Sequence, residues 1–247
     1  MPARHGFRRA LETAAGATGS LITALLDDVP VTVLIAGSLL RRAGITNPTN
    51  PAPPERWLDI CSGWVAHGAL AQHLLQTGAP PTSAGPSVEP LGRVDDPDGW
   101  HETDTLPPLS IRRARRMDAG KSSDPAGGYW IDAFFRDSRL EPDGTTQTGI
   151  HEYALTVQVD SDYVVTQVDC HPYVLPTSDC TFAAASVQRL VGLPLSAVTT
   201  TVASTFTGVG TCTHLNDTMR ALTGMRDLLA RVDPVDVAST KENRLGD

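Results

Sequence analysis

The stretch from Ile111 to Val168 constrains the fold more than any other part of this 247-residue chain. It contains four runs that read as extended, 111–117, 129–135, 150–159 and 163–168, separated by turn formers such as Asp160-Ser161-Asp162. β-Branched and aromatic side chains suit a pleated, half-buried surface, and consecutive strands joined by short connections pair antiparallel. The first run carries Arg112, Arg113, Arg115 and Arg116, the kind of charge that protects an edge strand. After Pro176 the apolar residues change to a helical period, which predicts helices near 180–191, 195–204 and 213–231, the last stopped by Pro234. Asp179 is a good N-cap and would set Cys180 in the first helical turn. A meander followed by helices segregated to one face of the sheet is an α+β fold.

Upstream of this core, residues 1–54 read as an N-terminal helical extension. A helix over 7–26 is followed by a turn at Asp27-Asp28-Val29-Pro30, a second apolar element over 31–42, and the proline-rich linker 47–54. Residues 55–109 hold a helix over 56–76 and a long Pro/Gly/Asp/Ser-rich loop that would cover the core domain, 110–234; residues 235–247 form a tail. His67 and His73 are six apart and do not share a helix face, so neither is assigned a ligand role.

Composition limits the partners. A formal charge of -8 argues against a nucleic-acid surface. Asp27, Asp28 and Pro30 interrupt the apolar stretch 21–40, so no membrane span is expected. Four cysteines, at 61, 170, 180 and 212, are too few for a disulfide framework in a chain of this length. Reduced thiols and a cytoplasmic location are the expectation.

The chemistry concentrates in Gly210-Thr211-Cys212-Thr213-His214-Leu215-Asn216-Asp217, which opens the last predicted helix. Thr211 or Thr213 would serve as N-cap, and the helix dipole would bias Cys212 toward thiolate. Together with His151 at a strand start and Cys180 at a helix start, Cys212 completes a set of ligand types at element ends. Imidazole and thiolate suit a single Zn or Fe ion. The expected metal ligands are therefore His151, Cys180 and Cys212. His214 and Glu152 are the candidate proton carriers, and His214 is also the first choice for a fourth ligand.

Several segments carry a resemblance: Arg112-Arg113, Phe135-Arg136-Asp137-Ser138, Gly149-Ile150-His151-Glu152-Tyr153, Leu175-Pro176 with Cys180 after it, and Gly208 to Leu215. Through these, residues from about 110 to 230 resemble the bacterial Domain of Unknown Function 2889 family. More remotely, the order of His151, Cys180 and Cys212, with Ala183-Ala184-Ala185-Ser186 between, is similar to the three cysteines of U-type iron–sulfur scaffold proteins. Histidine replaces the first cysteine, and Tyr153 stands where those scaffolds carry an acid, which implies a single ion rather than a sulfide-rich cluster.

Two function classes follow. One is a metal-dependent lyase or hydrolase acting on a small organic substrate through an open coordination position. The other is a non-catalytic metal or iron–sulfur carrier that works with a metal-transfer partner.

Overall fold

The computed structural model describes residues 21–45, 54–82, 85–92, 96–101, 106–125 and 127–232, with positions 10 and 13. Most of the predicted helix 7–26, the linker 47–53 and the tail 235–247 lie outside the described residues. Among the described residues no helix is long and apolar enough to cross a membrane.

The meander forms as the pattern requires. Strands β1 (Ile111–Lys121), β2 (Tyr129–Leu140), β3 (Gln147–Val159) and β4 (Val165–Val174) make one antiparallel sheet in the order β1-β2-β3-β4. The strands run longer than the runs read from sequence, because polar residues at their ends still pair. β1, with its arginines, is an edge strand.

Alternation along the strands sorts the side chains into two faces. Four rows run across β1, β2 and β3 on the inner face: Ala119-Ile131-Val157, Met117-Ala133-Leu155, Arg115-Phe135-Tyr153 and Arg113-Asp137-His151. The face is thus apolar at one end and charged at the other. The apolar rows form one core with Val187, Leu190, Val198, Val202, Leu215, Met219, Leu222, Met225 and Leu229 of the C-terminal helices. On the other face, Trp100 meets the Phe134 ring edge-on at 5.7 Å. Arg136 donates to the Glu89 carbonyl there at 2.7 Å, so part of the 78–109 segment covers the sheet.

Several helices differ from the sequence reading. α1 (Leu21–Arg42) runs through the Asp27–Pro30 turn as a single helix. An interior proline costs about 3 kcal/mol, but the stripe Val31, Ile35 and Leu39 is buried on one side of this helix. Val31 and Ile35 pack on Ile111 and Ile150, and this burial outweighs the lost hydrogen bond. The predicted helix 56–76 is instead two 3-10 turns, Pro54–Arg56 and Ser62–Trp64, followed by α2 (Ala69–Thr77). Asp179 does not cap its own segment. Its carboxylate accepts from the Ala69 amide at 3.2 Å and so caps α2, while Ser178–Leu190 winds as 3-10 helix. α3 (Leu195–Thr205) is as predicted. The last helix is split into α4 (Thr213–Ala221) and α5 (Met225–Val232) by a 3-10 turn at Leu222–Gly224. The Thr223 hydroxyl is drawn there into bonds with the Thr199 amide, at 3.1 Å, and the Thr199 hydroxyl, at 2.7 Å.

Two measurements check this account. Leu155 is fully buried in the centre of the sheet, and Leu155→Ala should lower the unfolding free energy by about 2–5 kcal/mol in chemical denaturation. In the β2–β3 turn, Asp143 accepts from the Thr146 hydroxyl and from the amides of Thr145, at 2.9 Å, and Thr146, at 2.8 Å. The Thr146 hydroxyl first, then these amides, hold its carboxyl down at about 2. A depressed carboxyl stabilises the turn above its unfolded value of about 3.9, and that contribution is lost as pH falls toward 2. NMR titration should find the low value in the wild type and an upward shift in Thr146→Ala; an unchanged value would refute the turn geometry.

Candidate metal centre

At the charged end of the inner face, Asp137 on β2 and His151 on β3 are direct cross-strand partners. His214, the second residue of α4, lays its ring on that of His151, with centroids 3.5 Å apart and planes 20° from parallel. His151 Nδ1 stands 3.3 Å from Asp137 Oδ2, and His214 Nε2 stands 4.0 Å from the same oxygen. One donor atom from each of the three residues lies within 4.8 Å of the other two.

Neither nitrogen is satisfied. His151 Nδ1 and His214 Nε2 are both buried and neither makes a hydrogen bond; the 3.3 Å approach of His151 to the carboxylate lacks hydrogen-bond angles. Buried polar atoms without partners are rare in folded proteins, and two of them here face one carboxylate oxygen. The Asp137 side chain is fully buried, and those of His151 and His214 are 9% and 14% exposed, although the two nitrogens that face the carboxylate are themselves buried.

Charge explains how the carboxylate is held. Arg113 donates to Asp137 through Nε at 2.8 Å and Nη2 at 2.9 Å, a bidentate fork. Its Nη1 bonds Asp217 at 2.9 Å and Asp28 of α1 at 3.1 Å. Asp217 is also held by Arg220, and Asp28 by Arg115. Burial alone would raise the Asp137 carboxyl. The contact with His151, and then the charge and hydrogen bonds of Arg113, outweigh burial and hold it down at about 2. Burial first, and the neighbouring His151, push His214 well below the ordinary imidazole value. The pair is thus an anionic carboxylate beside a neutral His214, the protonation states a metal ion requires.

The structure places the sequence-derived candidates as follows. His151 and His214 come together, and Cys180 does not join them. A Cβ on Gly63 would lie 2.6 Å from Cys180 Sγ, so that thiol packs against the 62–64 turn. Cys212 adjoins the group without entering it. It is itself the N-cap residue of α4, in place of Thr211 or Thr213, and its Sγ is 3.8 Å from His214 Nδ1. The expected bias toward thiolate is not met. Burial raises Cys212 and pushes Cys180 up to about 12, which outweighs the favourable helix terminus. Glu152 pairs with Arg136 on the face where Glu89 and Trp100 meet the sheet.

Asp137 was not among the candidates. Its signal lies in the period of two: Tyr129, Ile131, Ala133 and Phe135 share one face of β2, and the next residue in that series is an aspartate. An acid in register with a core stripe has to be paired or to act as a ligand.

Fold and site define an α+β domain with a buried constellation of two imidazoles and one carboxylate. Residues 111–226 match the family model described as protein of unknown function (DUF2889), and the chain resembles that family over this stretch, which holds Asp137, His151 and His214. No curated protein and no solved structure matches the chain.

Arg113 is the hub of this network, and Arg113→Ala should destabilise the protein by about 3–5 kcal/mol in chemical denaturation, because it strands buried carboxylates. A loss below about 1 kcal/mol, the size of a surface pair, would show that Asp137 and Asp217 do not depend on it.

Proposed function

We propose that Asp137, His151 and His214 hold a single zinc or iron ion and that the protein uses it as a metal-dependent enzyme of the lyase or hydrolase type. The observation that carries this reading is the pair of buried, unpartnered imidazole nitrogens gathered beside one carboxylate oxygen. Two histidines and one carboxylate form a ligand set used by catalytic zinc and by non-haem ferrous iron. When bound, such an ion polarises a substrate oxygen and supplies Lewis acidity.

The residues of the chain do the rest. Arg113 fixes the plane of the Asp137 carboxylate while leaving Oδ2 a second lone pair for the ion. Among the described residues, Asp28, Asp137 and Asp217 stand against Arg113, Arg115 and Arg220. Three protein ligands leave coordination positions open, and open positions suit an enzyme better than a carrier.

Elemental analysis of untagged protein tests the reading. A single zinc or iron per chain is expected, with a large loss in His151→Ala, His214→Ala and Asp137→Ala. Wild-type protein that stays empty after incubation with zinc and with ferrous iron would refute it. A loaded site with every coordination position filled by protein atoms would shift the reading to a carrier working with a metal-transfer partner.

A further inference from the structure

The metal reading leaves Cys212 unexplained. It is only 2% exposed, so no substrate reaches it as a nucleophile, and it is outside the group of converging donor atoms. Its surroundings are nonetheless specific. Tyr153, directly below in the sheet and fully buried, donates its hydroxyl to Cys212 Sγ at 3.4 Å. On the other side the sulfur faces His214 Nδ1 at 3.8 Å. The imidazole therefore lies between the sulfur, on its Nδ1 edge, and Asp137 Oδ2, on its Nε2 edge.

A neutral imidazole carries one proton, on Nδ1 or on Nε2. On Nε2 the proton would point at an oxygen 4.0 Å away, too far for a hydrogen bond; the thiol S–H could then donate to Nδ1, but that weak bond would leave the stronger N–H donor buried without an acceptor. On Nδ1 the proton finds the sulfur, and Nε2 keeps its lone pair free toward Asp137 and His151. The Thr213 hydroxyl, 3.4 Å from Nδ1, is a competing neighbour on the same edge.

We infer that Cys212 is a positioning residue: its sulfur accepts the Nδ1 proton of His214, fixes that tautomer, and so presents the Nε2 lone pair to the centre formed with Asp137 and His151. The sulfur thus accepts from two sides, from the Tyr153 hydroxyl and from the imidazole N–H, which explains why a buried tyrosine and a buried cysteine flank a histidine at the start of α4. The inference rests on the metal reading for its consequence, but not for the tautomer itself. Metal-bound histidines are commonly fixed through their other ring nitrogen by a carboxylate, a carbonyl or water; here a thiol takes that place.

Nitrogen-15 NMR of the histidines in metal-free protein, with zinc titration alongside, tests it. The wild type should show the Nδ1–H tautomer at His214. Cys212→Ala should lose that preference and bind zinc about 10–100-fold more weakly. Cys212→Ser, which keeps an acceptor on a shorter arm, should fall between. Thr213→Val should keep the wild-type tautomer. Cobalt-substituted wild type should lack a thiolate-to-metal charge-transfer band. An Nε2–H tautomer in the wild type, or Cys212→Ala unchanged in both tautomer and zinc affinity, overturns the inference. A charge-transfer band lost in Cys212→Ala overturns it too, by making the sulfur a ligand. Should the wild type show the Nδ1–H form, lost in Cys212→Ala, yet take up no metal, the positioning role stands and the metal reading falls.

Discussion

The fork of Arg113 on Asp137 is the interaction on which the rest of the site depends. Asp137 closes an otherwise apolar series on β2, and without a cation beside it the carboxylate could not stay ionised away from water. Arg113 sits directly across on β1 and supplies both hydrogen bonds and charge. The same guanidinium reaches α4 through Asp217 and α1 through Asp28. One side chain thus ties together the sheet edge, the helix that carries His214 and the N-terminal helix that packs on the sheet. The cation–π contact of Arg113 over Phe135, at 4.8 Å, joins this polar end to the apolar core one row away. Position and charge are set together: anything that shifts α4 relative to β1 also shifts His214 relative to Asp137.

Much of the fold was legible in the sequence because its signals are local. Alternating β-branched and aromatic runs with Asp160-Ser161-Asp162 between two of them dictate strands and register, and the change of period after Pro176 dictates helices. The errors came where tertiary contacts overrode local cues. Pro30 reads as a break, yet Asp28 before it and Val31, Ile35 and Leu39 after it are all buried, and packing keeps the helix. Asp179 reads as the cap of its own segment, yet its carboxylate serves Ala69, over a hundred residues earlier in the chain. That pairing depends on how two segments meet, which no window of sequence encodes.

The site was legible in part, for the same reason. His151 and His214 stand out by residue type, and His214 also by its place at a helix start, whereas His151 lies inside β3 rather than at its end. Cys180 and Cys212 stand out equally, and sequence cannot say which side of a helix terminus faces the sheet. The structure turns Cys180 toward the 62–64 turn and sets Cys212 behind the His214 ring. Asp137 was hidden because its meaning lies in register: an acid at the end of an apolar stripe becomes a partner of His151 only once β2 and β3 are paired.

A last consequence concerns the balance between stability and chemistry. Packing two imidazoles face to face with unsatisfied nitrogens costs free energy, of the order of 1–3 kcal/mol for each stranded polar group. A core built for stability alone would put Leu or Val at these places, as it does at Leu155 and Val157 on the same strand. The cost is borne by a rigid surround: a fully paired arginine hub, a buried tyrosine hydroxyl with its acceptor, and an apolar sheet one row away. Local departures from good packing that the surrounding structure holds firmly in place are where function concentrates. The polar end of this sheet is such a place, where two buried imidazole nitrogens without partners stand beside one carboxylate.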